Sequence, residues 1–268
     1  MLMIAELKTF IGIQTIAHKD EENRKGIQFI KELLEAIGFS VRLEGDSPTN
    51  QPVLVAHYIH ANTDKKVVLY GHYDVEKINT SEKWTTPPFE VITKDDRYYC
   101  RGIADNKGIL LCRILALKAM KEAGEELPNI LWIIQGEEEV AGPTPFKVIP
   151  QLLKDFNATL HVEETGVYKK ETPLLFHLPK TTAIPNFVHS LNEAIYDGKA
   201  RLENRSLNKF TTCPFVTSLP ETAVYVGFGP NDGQCRIHRD NESLSISKLQ
   251  THTSVFQKFM RWVLRTEL

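Results

Sequence analysis

Short apolar runs of strand length alternate with helix-period segments through the first 165 residues, and this alternation constrains the fold more than any other feature. The runs FSVRLE (39–44), PVLVAHYI (52–59), KVVLYG (66–71), NILWIIQ (129–135) and ATLHVE (158–163) read as strands. KVVLYG is short and almost wholly apolar, as a central strand covered on both faces must be. Among them, DEENRKGIQFIKELLEAIG (20–38) and KGILLCRILALKAMKEAG (107–124) carry apolar residues at helical spacing and close on glycine. The first also opens on acids, which suit the positive end of a helix dipole. PFKVIPQLL (145–153) predicts a helix interrupted near Pro150. Segment 166–210 has no continuous period, though ETPLLFHL predicts a strand and NFVHSLNEAIYDG a helix. The pattern resumes with TAVYVGFG as a strand and SISKLQTHTSVFQKFMRWVL as a closing helix. The expectation is an α/β fold of three layers, a mostly parallel central sheet with helices on both faces. With no internal repeat and no Gly/Ser linker, residues 1–268 read as a single domain.

Composition excludes some functions. A formal charge of −2 argues against a strongly basic nucleic-acid binder. Four cysteines (Cys100, Cys112, Cys213, Cys235) stand far apart with no CxxC pair, which suits a reducing compartment. The N-terminal MLMIAELKTFIG carries Glu6 and Lys8 and lacks a signal-peptide pattern, so it reads as a folded helix. No apolar run approaches the roughly 20 residues a membrane helix needs. The expectation is a cytoplasmic protein without a membrane partner.

Three of the strands end in residues of metal-binding type: VVLYGHYDV, LWIIQGEEE and TLHVEET. In open α/β sheets, functional residues gather beyond the carboxyl ends of the strands. Each cluster alone has a structural reading: Asp105 in RGIADNKG suits a helix N-cap, and Glu137, Glu138 and Glu139 suit a solvated loop. Together they read differently. Asp74 lies two residues from His72 on an extended segment, so both point to one side and Asp74 can orient the imidazole. A carboxylate cluster at the same edge raises its own pKa values unless a cation offsets the repulsion. Adjacent glutamates leave a turn in different directions, so one can bind metal while another handles protons. Two His, one Asp and two Glu, plus a free Glu, suit two zinc ions better than one, with cobalt or manganese as compatible alternatives. His57, His60, His161, His177, His189 and His252 fall inside predicted strands or helices and read as structural. No G-x-S-x-G elbow or phosphate-binding glycine loop is present.

Read in order, VVLYGHYDV, WTTPPFEVITKDDRYYCRGIADNKG, GEEEVAG, HVEETG and HRDNE resemble the co-catalytic zinc peptidase family of aminoacylases, carnosine dipeptidases, acetylornithine deacetylases and succinyl-diaminopimelate desuccinylases. The resemblance covers residues 1–165 and 211–268. It implies a zinc-peptidase-like domain in which His72 holds one zinc, His238 the other, and Asp105 bridges them before a cis peptide. It further implies Glu139 as a ligand beside His238 and Glu163, in preference to Glu164, as the ligand beside His72. Glu138 is then the general base, Asp74 supports His72, and Glu137 has no metal role. The implied reaction is hydrolysis of an amide or peptide bond by a zinc-bridged hydroxide. The substrate is a small peptide, cleaved by an aminopeptidase or dipeptidase, or alternatively an N-acyl amino acid. A catalytically degenerate homologue acting as a binding module is the reading from another class.

The chain departs from the family in one large respect. Relatives insert a lid domain before the last ligand segment, and here the short segment 167–210 stands in its place. A monomer is therefore expected, because the lid supports dimerisation. Any groups that close the pocket come from 167–215, with His177, His189 and Arg205 as candidates. The segment before the last ligand is altered as well, to KFTTCPF.

Overall fold

The computed structural model describes residues 2–163, 166–178, 181–206 and 213–267. The chain enters through α1 (Leu2–Gly12) and α2 (Asp20–Glu35). Gly38 ends this helical segment at φ +102, and Phe39 N donates to Leu34 O at 3.1 Å, so orphan carbonyls of the last turn are satisfied as the terminal glycine predicts. There follow β1 (Ser40–Glu44), β2 (Val53–Tyr58), β3 (Lys66–His72), β4 (Ile92–Lys94), β5 (Arg97–Tyr99) and α3 (Lys107–Glu122). Next come β6 (Asn129–Gln135), α4 (Thr144–Phe156), β7 (Leu160–Val162), β8 (Tyr168–Lys169), β9 (Thr172–Leu178) and α5 (Asn186–Tyr196). β10 (Arg201–Asn204), α6 (Pro214–Thr217), β11 (Val224–Gly227), β12 (Ser243–Ser245) and α7 (Ile246–Arg265) complete the order.

The main sheet runs β1-β2-β6-β3-β7-β11-β9-β10, with β8 paired to β9. Its centre, β6-β3-β7-β11, is parallel, as the apolar runs predict. The flanks include antiparallel pairs: β1 on β2, β2 on β6, and β9 on β11. An antiparallel edge tolerates a solvated face, and β1 is exposed or half-buried throughout.

Alternation along the central strands divides the core in two. Val67 and Leu69 of β3, with Ile130, Trp132 and Ile134 of β6, face a layer that includes Phe10, Ile30, Leu111, Leu191 and Phe256 of α1, α2, α3, α5 and α7. Val68, Tyr70, Leu131 and Ile133 face Ile149 and Leu153 of α4 and Phe215 of α6. Each large aliphatic side chain fully buried this way contributes roughly 1.5–3 kcal/mol, which explains why these strands carry no charged residue between their ends.

Two local features differ from the sequence reading. α4 runs through Pro150 without a break. The carbonyl deprived of its donor belongs to Phe146, and both residues lie on the exposed side, where water can take that bond. A second sheet, β12-β5-β4, is also present; its three-residue strands are too short to show a period. It pairs Ser243 with Tyr99 and Leu244 with Tyr98, and so docks the arm after residue 238 against the segment before residue 105. No helix among the described residues is long and apolar enough to cross a membrane.

Candidate metal centre

The parallel strands deliver their carboxyl ends to one edge of the sheet. The β3–β6 register sets His72 beside Gln135, so the 136–142 turn begins level with that imidazole. Gly136 is required there, because a Cβ would stand 2.3 Å from Tyr73 Oη and 2.7 Å from Gln51 O. β7 pairs Val162 with Leu69 of β3, and Glu163 leaves the sheet one residue later. β11 leads through the 228–237 loop to His238, whose φ of +59 is left-handed. Asp105 comes from the turn before α3, and its bond to Asn106 is cis, as the resemblance implies.

Asp105 stands between the two imidazoles. Its Oδ1 is 3.0 Å from His72 Nε2, and its Oδ2 is 3.3 Å from His238 Nε2. Glu139 Oε2 lies 2.7 Å from the same His238 nitrogen. On the far side of His72, Nδ1 is 3.2 Å from Asp74 Oδ1, while Asp74 Oδ2 accepts from Glu139 N at 2.9 Å. One buried aspartate thus ties the end of β3 to the turn after β6.

Burial raises Glu138 and Glu139, and the neighbouring Asp105 carboxylate adds to the rise. Burial also acts to raise Asp105, but hydrogen bonds from His238 and His72 outweigh it and hold that carboxyl well below the usual range. Hydrogen bonds to Asp105 and then Glu139 push the His238 imidazole up to about 10. The cluster is one that demands positive charge. Asp105, Glu139 and His238 present ligand atoms within 4.8 Å of one another, the spacing a single cation needs. Glu139 Oε1 is buried with no hydrogen-bond partner among the described residues, so it has a lone pair to offer. Imidazole nitrogen and carboxylate oxygen suit zinc, and also cobalt or manganese. The residues therefore fit a bound metal.

The structure brings His72, Asp74, Asp105, Glu139 and His238 into one network. Glu138 feels the charges of His72, Asp105, Asp74 and His238, and Glu163 reaches the same sheet edge. Glu164, the alternative to Glu163, lies outside the described residues, as does most of KFTTCPF. Glu137 makes no bond to this network but is far from idle. It is fully buried and accepts from Ser47 Oγ, from Thr49 Oγ1 at 3.1 Å and from Thr144 N at 3.2 Å. It pins the 46–49 loop to the start of α4.

His177 and Arg205, expected near the pocket, lie elsewhere. β9 runs antiparallel to β11, and β10 runs parallel to β9. Both strands therefore run away from the metal-cluster edge, and their register sets His177 opposite Val226, several strands from His72, with Arg205 beside it just after β10. Arg205 there pairs with Glu203 and stacks on Phe176, and His189 sits exposed on α5. His161, His177 and His252 are buried within β7, β9 and α7, where burial depresses each imidazole, His161 to about 4.

Sequence reasoning missed Glu242. This fully buried carboxylate accepts from Gly102 N (3.0 Å), Ala104 N (2.9 Å), Asp105 N (3.3 Å) and Arg101 Nη1 (3.1 Å). It holds the turn that presents Asp105, although burial pushes it up to about 7. Arg101, equally buried, also reaches Glu82 at 2.9 Å, and Glu82 accepts from Trp84 Nε1. Arg101 and Glu242 lie about 140 residues apart in the chain, so no local pattern pairs them.

A family model described as peptidase family M20/M25/M40 matches residues 68–262. The chain is 35% identical over 113 residues to a human Beta-Ala-His dipeptidase, covering 42% of this chain and 22% of that protein. It is 34% identical over 143 residues to an N-formyl-4-amino-5-aminomethyl-2-methylpyrimidine deformylase of Bacillus subtilis, covering 51% of this chain and 33% of that one. The matched stretches thus span only a fifth to a third of these relatives. Among solved structures, the dipeptidase Dug1p of Saccharomyces cerevisiae superposes with a TM-score of 0.80 at 13% identity, covering 100% of this chain and 96% of that one. An M20 family metallo-carboxypeptidase of Sulfolobus solfataricus gives 0.79 at 15% identity, covering 98% and 99%. With the family model matching well over half of its length, the chain belongs to peptidase family M20/M25/M40.

Proposed function

We propose that the chain is a metal-dependent hydrolase of a small peptide or amide bond, holding two zinc ions at the strand-end cluster. The observation that carries this reading is the Asp105 carboxylate, whose two oxygens each face a different imidazole. His72, Asp105 and Glu163 would hold one ion, and His238, Asp105 and Glu139 the other. When bound, the ions supply Lewis acidity toward the scissile carbonyl and lower the pKa of the attacking water. Glu138, made more basic by burial, takes that water's proton and returns it to the leaving amine. Asp74 fixes the His72 ring and the Glu139 backbone together, so the two arms keep their spacing.

Dipeptides are the first substrate class to test, because relatives named as dipeptidases are similar in sequence to this chain. The deformylase similarity favours a second reading, hydrolysis of an N-acyl group from a small amine. In either case residues 1–268 act as one catalytic unit, with 167–210 replacing an inserted lid, and the unit works as a monomer. Support for this comes from β9 and β10, which lie in that segment and extend the main sheet. Metal analysis of the purified chain, followed by a panel of free dipeptides and N-acylated or N-formylated amines, tests the proposal. About two zinc per chain with turnover of one panel is expected. Substoichiometric metal and no turnover would favour a binding module instead.

A further inference from the structure

We propose that Arg113 is a positioning residue for the Glu163 arm of the metal centre, an inference that rests on the metal-site reading above. Arg113 is 1% exposed, in the middle of α3. Its guanidinium spans two strand ends: Nη1 donates to Glu163 O at 2.7 Å and Nη2 to Phe228 O at 3.1 Å. Those carbonyls follow β7 and β11, neighbours whose register ends at Val162 and Val226. Past that point Glu163 N still donates to Val226 O at 2.9 Å, and the Glu163 carbonyl is taken by Arg113. Both backbone groups of Glu163 are held, so the direction in which its carboxylate leaves the sheet is set.

The rest of the pocket around Arg113 is built to keep a charge in place. Nε donates to His252 Nε2 at 3.2 Å, which requires a neutral imidazole, and burial holds His252 well below its ordinary value. The rings of Phe228 and Phe256 stand 5.8 and 5.4 Å from the guanidinium carbon, within cation–π range. A lysine could not reproduce this, since only the planar fork reaches two carbonyls and a third acceptor in fixed directions. α3 begins at Lys107, directly after the Asp105–Asn106 turn. One rigid helix thus carries the bridging carboxylate at its start and the clamp on Glu163 further along, and it sets the separation of the two.

The test uses Co2+ as the probe, titrated into the metal-free chain and read by visible absorption and stoichiometry. Wild type should show two binding steps, one abolished by Glu163→Ala and the other by Glu139→Ala. Arg113→Met and Arg113→Lys should weaken the Glu163-dependent step by about 10–100-fold, the range for groups that orient metal ligands, and leave the Glu139-dependent step unchanged. Should Arg113→Met fail to fold, Arg113→Lys, which keeps the charge and stem, decides the question. Wild-type affinity at both steps in Arg113→Lys, or equal loss at both, overturns the proposal. Fewer than two steps in wild type removes the metal reading itself, and this inference with it, and so is told apart from failure of the clamp.

Discussion

Replacing Glu242 by glutamine changes one oxygen to an NH2 group and leaves the volume of the side chain intact. In the native chain each of these four partners of the carboxylate is a donor: Gly102 N and Arg101 Nη1 on one oxygen, Ala104 N and Asp105 N on the other. Whichever way the amide is turned, two of these donors then face a donor in a site that is 1% exposed. Each buried group left unsatisfied costs about 1–3 kcal/mol, more when the guanidinium is one of them. The expected loss is about 3–5 kcal/mol, which for a chain of this size lowers Tm by about 10 °C. Urea denaturation followed by circular dichroism, with calorimetry for Tm, measures it. Burial pushes Glu242 up to about 7, but even the acid keeps acceptor lone pairs on both oxygens, which the amide NH2 lacks. A Glu242→Gln variant within 2 °C of wild type would refute the reasoning and show that the Asp105 turn is held by other contacts.

Glu138→Gln should retain its metal and lose turnover by about 10²–10⁴-fold, the usual contribution of a positioned general base; unchanged kcat on the active substrate class would sink the assignment. Glu137→Gln should do the opposite, costing about 1–3 kcal/mol in a urea melt through lost acceptance from Ser47, Thr49 and Thr144 while Co2+ affinity holds. The His252 imidazole is buried and lies well below its ordinary 6.5, so unfolding takes up a proton below that pH. Stability from this group is therefore full above pH 6.5 and is lost on acidification, by at most about 1.4 kcal/mol per pH unit. His252→Gln, whose amide oxygen can still accept from Arg113 Nε, should show a shallower acid dependence of the urea midpoint between about pH 6.5 and 5.

What the sequence made legible, and what it hid, follows from range. The centre of the sheet was readable because β3 and β6 are covered on both faces, and that coverage leaves no charged residue between the ends of either strand. The site edge was readable because His72, Glu139 and Glu163 sit at or just behind the ends of such strands. Glu242 and Glu137 were not, since the hydroxyl or backbone donors that set them lie mostly in turns far away in the chain: 101–105 for one, 47–49 for the other. A buried carboxylate serving a remote loop leaves no local period. The small β12-β5-β4 sheet was hidden for a related reason, its strands being three residues each. His177 and Arg205 were misplaced because a strand's direction within the sheet cannot be read from its own residues.

The glutamate triplet shows how these levels join. Three adjacent carboxylates repel, and a turn resolves the conflict by sending them apart. Gly142 N donates to Glu137 O at 2.9 Å and Ala141 N to Glu138 O at 3.1 Å, so the backbone curls tightly after β6. Glu137 is thereby directed inward to hydroxyl and backbone donors, a neutral environment that holds a carboxylate without a cation. Glu139 is directed to His238 and carries a buried oxygen with no partner among the described residues. Glu138 stands between opposing influences: burial raises it, while His72 and His238 pull it back. A buried glutamate raised toward its neutral form suits the proposed role of moving a proton, whereas Glu137 is held by its donors and Glu139 faces His238. The triplet is one run in sequence and three environments in space, which is why the glutamine substitutions at 137 and 138 are expected to separate stability from turnover.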